Sequence, residues 1–233
     1  FLHPNPGTLE EIQRLIDCVR DISGDTYFLM IHGDATYGIP SGSDMMGFIE
    51  RIADEPEQMK QTADRRVNEA LEKAEALARH GGLDGFALCA DYCFNTGPFL
   101  SPSMFSEYVT PYLERLTKGY RDLGFYVIKH TDGNIMPILD QLVQTEPHAL
   151  HSLDPQGDID LAEVKRSVGN RVCLIGNVHC GFLQTGTNEE VVTNVRDTLR
   201  AGMPGGGYIF STSNCVYTGL PLERYELMLD IWR

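Results

Sequence analysis

Basic residues are scarce in this chain. Its 233 residues carry 19 Lys and Arg against 33 Asp and Glu, a formal net charge of −14. That shortage argues against nucleic acid as a partner, because phosphate recognition needs concentrated positive charge. It also weighs against a polyanionic substrate. Long apolar runs are missing as well: no stretch approaches the roughly 20 residues of a membrane span. The amino terminus has neither the basic nor the apolar segment of a secretory signal. The expectation is a cytoplasmic chain with no membrane partner. Disulfide-scaffold spacing is absent, since Cys18, Cys89, Cys93, Cys173, Cys180 and Cys215 are scattered; they read as thiols in a reducing compartment. No linker, internal repeat or low-complexity segment interrupts the chain. With 42% hydrophobic residues, it reads as a single domain over 1–233.

What is present is a repeated coincidence. Six short apolar runs, Tyr27 to Ile31, Phe86 to Ala90, Phe125 to Ile128, Ala149 to Leu153, Val172 to Ile175 and Tyr208 to Phe210, each end in polar residues. The clusters are His32-Gly33-Asp34, Asp91-Tyr92, His130-Thr131-Asp132, Asp154, Asn177-Val178-His179 and Asn214-Cys215. Runs rich in β-branched and aromatic residues, separated by helical patterns, predict buried parallel strands. Polar residues at the carboxyl ends of such strands are where an α/β barrel builds its active site.

Between the runs, Thr8 and Glu11 form a capping box for a helix with Leu9, Ile12, Leu15, Ile16 and Val19 on one face. Two helical segments are predicted from about Asp44 to His80, ended by Gly81-Gly82. Further helices are predicted from Ser101-Pro102 to about Lys118, and over about 135–144, 161–167, 189–201 (capped by Asn188) and 222–232. Strands and helices thus alternate throughout, which predicts right-handed crossovers and a parallel sheet. A (β/α)8 barrel needs eight strands in about 250 residues. Either two strands are irregular, or the chain begins inside the barrel and lacks its amino-terminal part, a reading prompted by the start at Phe1. The Gly205-Gly206-Gly207 run precedes its strand and no helix follows it directly, so it reads as a tight turn rather than a phosphate loop.

The sharpest candidate for chemistry is Lys129-His130-Thr131-Asp132-Gly133-Asn134, after a strand and before a helix. His130 and Asp132, two apart, can bring a ring nitrogen and a carboxylate to one point, as metal ligands or as an acid–base pair. Helix capping by Asp132 or Asn134 is the alternative. His32, Asn177 and His179 are candidate substrate-binding residues at strand ends. His148 and His151 flank a strand and read as structural or solvated.

These motifs resemble the uroporphyrinogen decarboxylase superfamily. The resemblance is carried by His130-Thr131-Asp132-Gly133-Asn134, by Leu174-Ile175-Gly176-Asn177-Val178 with Leu183 to Thr187 behind it, and by Gly206 to Ser211 running into Gly219 to Glu223. It implies a (β/α)8 TIM barrel and two chemistries. One branch decarboxylates uroporphyrinogen without a cofactor, with an aspartate on the pyrrole nitrogens and arginines on the carboxylates. The other comprises corrinoid-dependent methyltransferases, whose His-x-Cys pair and later Cys bind zinc.

The chain departs from both. Asp132 stands where the methyltransferase pattern has its first Cys, and alignment on Gly219 and Pro221 puts Asn214 at the later position, with Cys215 one place on. His130, Asp132 and Cys215 would be the zinc set if Cys215 points inward; if Asn214 does, the pocket recognises substrate by hydrogen bonds without metal, which is the reading favoured here. The decarboxylase's arginine-rich segment has no match. The resemblance also makes Asp91 a pocket residue and Tyr37 a substrate-facing tyrosine, against plain loop packing.

His130, Asp132 and Asp91 are therefore the candidate catalytic residues. His32, Tyr37, Asn177, His179 and Asn214 are the candidates for binding substrate. The leading expectation is a methyltransferase-like enzyme acting on a small methylated metabolite with a corrinoid protein as partner. Uroporphyrinogen decarboxylation and a non-catalytic small-molecule-binding barrel stay open, as do zinc and a homodimer.

Overall fold

The computed structural model describes residues 7–233. Helix α1 (Leu9–Ser23) begins at Thr8, whose side chain accepts from the Glu11 amide while Glu11 reaches back, the predicted capping box. Strand β1 (Met30–His32) then leads to α2 (Met45–Asp54) and the long α3 (Pro56–His80), which ends at Gly81. Strand β2 (Gly85–Leu88) is followed by a small antiparallel hairpin of β3 (Cys93–Phe94) and β4 (Gly97–Pro98). Next come α4 (Pro102–Tyr108), α5 (Thr110–Asp122), β5 (Tyr126–Thr131), α6 (Leu139–Gln144) and β6 (Ala149–Ser152). The chain continues through α7 (Leu161–Val168), β7 (Cys173–Val178), α8 (Cys180–Thr185), α9 (Asn188–Gly202), β8 (Tyr208–Thr212) and α10 (Leu222–Trp232).

All six long-range strands pair in parallel in the order β1-β2-β5-β6-β7-β8, so consecutive βα units lie side by side as the apolar runs require. Among the described residues β1 pairs only with β2 and β8 only with β7. Helices α3 and α5 pack together, as do α7 and α9, with α5 against β5 and α9 against β7 and β8. This is the wall of a (β/α)8 barrel. No helix among the described residues is long and apolar enough to cross a membrane.

The core lies mainly between sheet and helices. Val127, Leu88, Leu150, Leu174, Leu113, Leu116 and Leu77 are fully buried there. The Phe86 ring stacks on Tyr120 at 4.0 Å, and the Tyr120 hydroxyl donates to the Gly33 carbonyl at 2.7 Å. A smaller cluster of Val178, Leu183, Val191, Val195 and Met228 joins α8, α9 and α10 to β7.

Several boundaries differ from expectation. The first strand is Met30–His32 rather than the run from Tyr27; Tyr27 and Phe28 are exposed beside this edge strand. The helix predicted after Ser101 breaks at Val109, just before Pro111, because proline has no N–H to give to the preceding turn and its ring collides with the carbonyl there. Pro137 likewise makes the start of the next helix a single 3₁₀ turn, Met136–Ile138. Thr187, not Asn188, caps α9, through a second capping box with Glu190. The Gly205–Gly207 run is a left-handed turn, with φ of 79°, 72° and 60°, at the amino-terminal end of β8.

Candidate active site

Strand alternation decides which residues of β5 can meet. Neighbouring residues of a strand face opposite sides of the sheet, so Lys129 and His130 part company. Lys129 is fully buried on the helix side, and its ammonium donates to Asp34 Oδ2 at 2.8 Å and to the Ala90 carbonyl at 2.9 Å. It also sits 4.0 Å above the centre of the Tyr92 ring. All three of its protons are engaged. Asp34 in turn accepts from Thr36 N, the Thr36 hydroxyl (2.6 Å) and Ala90 N. Burial works against the Asp34 charge, but the Lys129 charge and these hydrogen bonds outweigh it and hold the carboxyl down at about 2. Burial pulls the Lys129 amine below its ordinary value while Asp34 opposes. The pair is ionic, and it fixes the ends of β1, β2 and β5 together.

On the opposite face His130 pairs with His151. The two are register partners on β5 and β6, and their Nδ1 atoms lie 2.8 Å apart. His151 Nε2 is 3.1 Å from the Thr212 carbonyl at the end of β8. His130 Nε2 faces Asp132 Oδ1 at 3.7 Å and Asp91 Oδ1 at 3.8 Å. Burial lowers both histidines below the usual imidazole value, for His130 against the pull of Asp91, and for His151 with the His130 charge adding to it. Burial, reinforced by Asp91, pushes the Asp132 carboxyl above the usual carboxylate range.

The loops that carry these groups are stapled to one another. Asp91 Oδ1 accepts from Asp132 N (3.0 Å), Thr131 Oγ1 from Tyr92 N (2.9 Å), and the Phe94 carbonyl from Asn134 N (2.9 Å). Gly133 permits this approach: its φ is +78°, and a Cβ there would lie 2.6 Å from the carbonyl oxygens of Cys93 and Phe94. Asp154, buried at the end of β6, accepts from Gly133 N and Gln156 N.

Asn214 points inward and donates to Asp132 Oδ2 at 2.6 Å, whereas Cys215 is exposed. The conditional set of His130, Asp132 and Cys215 is therefore replaced: the third group that converges is Asp91. One ligand atom each from Asp91, His130 and Asp132 lie within 4.8 Å of one another. Asp132 Oδ1 is buried without a close hydrogen-bond partner; the Ser152 hydroxyl, buried and likewise unpaired, is the protein donor that bears on the same carboxyl. The donor set fits a divalent cation, one imidazole and two carboxylates being legitimate ligands for zinc and harder metals.

The remaining candidates lie elsewhere. His32 is exposed at the end of β1. Tyr37 packs edge-on against Phe48 and donates to the Met59 carbonyl at 2.9 Å, which is the loop-packing alternative. Asn177 is buried and donates to the Leu153 carbonyl (2.7 Å), tying β7 to the end of β6. His179 caps α8, its Nδ1 accepting from Gly181 N, and stacks on Phe182. His148 is structural, its Nδ1 accepting from Val127 N. His151, by contrast, belongs to the site. The cue in the sequence was a histidine followed by a hydroxyl residue at the ends of two consecutive runs, His130-Thr131 and His151-Ser152. Burial raises the Cys89 and Cys93 thiols to about 11 and about 12, so neither offers a thiolate.

Comparison with known proteins adds a family. A family model described as uroporphyrinogen decarboxylase (URO-D) matches residues 35–233. A uroporphyrinogen decarboxylase of Photobacterium profundum is 24% identical over 247 residues, covering 97% of this chain and 65% of its own length. That of Cellvibrio japonicus is 29% identical over 190 residues, covering 76% and 49%. The chain thus spans about two thirds or less of the curated relatives it matches. Among solved structures, a methyltransferase from Methanosarcina mazei superposes with a TM-score of 0.77 at 18% identity, over 98% of this chain and 69% of that one. At that identity the likeness is one of fold.

Proposed function

The chain belongs to the uroporphyrinogen decarboxylase (URO-D) family, and from that premise we propose that it is a methyltransferase-like enzyme of the family, taking a methyl group from a small methylated metabolite and exchanging it with a corrinoid held by a partner protein. The observation that carries this reading is the character of the convergent group. His130 Nε2, Asp91 Oδ1 and Asp132 Oδ1 face one another, and Lys129, the adjacent basic residue, is turned away and neutralised by Asp34. Such a site suits a ligand that donates protons or carries positive charge. It suits poorly a substrate with many carboxylates, each of which needs a basic partner when buried.

Removing a methyl group from nitrogen, oxygen or sulfur leaves an electron pair on that atom, and a positioned acid that protonates it lowers the barrier. Asp132, with its carboxyl raised by burial, is the group on which such a proton is held, and Asn214 keeps it oriented. His130 Nε2, facing Asp132 Oδ1 at 3.7 Å, shares that proton as its acceptor. Asp91 and the loop bonds that staple it to Asp132 hold the group in register. A divalent cation held by Asp91, His130 and Asp132 would supply Lewis acidity to the same reacting atom.

Decarboxylation of uroporphyrinogen is the second reading, favoured by the name its curated relatives share. Purified protein supplied with methylcobalamin and a panel of thiol and amine acceptors separates the two. The proposal expects methylcobalamin to be consumed in step with acceptor methylation. Release of carbon dioxide from uroporphyrinogen without methyl transfer would select the second reading, and neither activity would leave a binding barrel.

A further inference from the structure

We propose that His151 is a positioning residue of this site: by accepting the Nδ1 proton of His130 it fixes the tautomer that presents the His130 Nε2 lone pair to Asp91 and Asp132. The inference rests on the reading of that group as the reacting centre, and it follows from the geometry of two rings and one carbonyl. A backbone carbonyl only accepts, so the 3.1 Å contact between His151 Nε2 and the Thr212 oxygen requires the proton on Nε2. A neutral imidazole has one N–H, which leaves His151 Nδ1 with a lone pair. The 2.8 Å contact between the two Nδ1 atoms then needs its proton on His130. What remains on His130 is Nε2, 3.7 and 3.8 Å from the two carboxylates.

The reverse assignment fails at the Thr212 end: with its proton on Nδ1, His151 would set its Nε2 lone pair against the carbonyl lone pairs. On the other side, the buried Asp132 carboxyl is the group that can donate to the open His130 Nε2. The arrangement is also a circuit. Thr212 accepts from His151 through its carbonyl, and its hydroxyl donates to the Asn214 carbonyl at 2.5 Å. Asn214 donates to Asp132, and Asp132 faces His130. One residue at the end of β8 therefore anchors both sides of the reacting group, and His130 Nε2 is the ring nitrogen left open to a ligand.

The test is the protonation pattern of the rings in the whole chain labelled with ¹⁵N-histidine, read through two- and three-bond ¹H–¹⁵N correlations, with His130→Gln and His151→Gln identifying the signals. The wild-type protein is expected to show His130 protonated at Nδ1 and His151 at Nε2. In His151→Phe the His130 Nδ1 proton loses its acceptor and the ring shifts toward the Nε2–H form. In His151→Gln, whose amide both accepts and donates, the Nδ1–H form returns. His130 found as Nε2–H in the wild type, or unchanged in His151→Phe, would overturn the inference. The wild-type spectrum decides the matter even if the phenylalanine variant does not fold. Because the spectrum reads ring protonation and not turnover, absence of methyl transfer with this tautomer intact overturns the functional reading alone.

Discussion

His130 and His151 are register partners on adjacent parallel strands, with Nδ1 atoms 2.8 Å apart. Parallel register puts both side chains on the same face of the sheet, so a two-ring unit arises from strand pairing alone, before any loop is placed. The loops then add Asp91 and Asp132 on the far side of His130. Rigid strands set the ring nitrogen and stapled loops set the carboxylates, the division of labour expected of a barrel rim.

A cation tests the donor set. With Asn214 and not Cys215 turned inward, the purified chain is expected to hold well under one zinc per chain by elemental analysis. About one zinc per chain, lost in His130→Ala, would contradict the metal-free reading and assign the ion to Asp91, His130 and Asp132.

Asn214→Leu removes the donor to Asp132 Oδ2, leaving a carboxyl whose other oxygen already lacks a partner. The expected loss of stability is about 1–3 kcal/mol, read from the urea midpoint. A change within error would mean that the Asn214 amide contributes little to holding Asp132.

The ion pair beneath the site makes a thermodynamic cycle. Lys129→Met and Asp34→Asn each leave a buried group without its partner and are expected to cost about 3–5 kcal/mol. The double variant should cost clearly less than the sum. Additive losses in denaturant melts would contradict direct pairing of the two side chains.

Acid sensitivity follows from the same aspartate. The folded Asp34 carboxyl lies at about 2 against an ordinary 3.8. A depressed carboxylate stabilises the fold fully above its unfolded value, and that contribution fades as pH falls through the folded one. Thermal melts should therefore lose stability between about pH 4 and pH 2 more steeply in the wild type than in Asp34→Asn. Parallel acid limbs in the two proteins would refute this assignment.

Gly133→Ala is the backbone test. At φ +78°, with two carbonyl oxygens 2.6 Å from the new Cβ, the loop must move, at an expected cost of about 2–4 kcal/mol. Hydrogen exchange should show the Asp132 and Asn134 amides losing protection together; unchanged protection would mean that the staple between the loops does not depend on this glycine.

The parallel strands were legible because buried strands write continuous apolar runs. Thr8 with Glu11 and Ser101 with Pro102 announced their helices equally well. Short elements were not: β3, β4 and α8 have two to six residues, too few for any period. Pro111 and Pro137 break helices whose apolar period runs on unbroken across them. In the site, His130, Asp132 and Asp91 came from their strand-end positions. His151 did not, because its role depends on which residue of β5 it lies beside, and register is a property of pairing that one strand's sequence does not carry. For the same reason Asn214 and Cys215 stood as alternatives until the end of β8 was placed.

The most direct test of the account is the rate of methyl transfer in wild type and His130→Ala, followed with a ¹⁴C-methyl donor and with folding checked by circular dichroism. The account predicts transfer by the wild type and a loss of at least about 100-fold in a folded His130→Ala protein. Transfer at the wild-type rate in that variant, or none in the wild type with any acceptor of the panel, would contradict it.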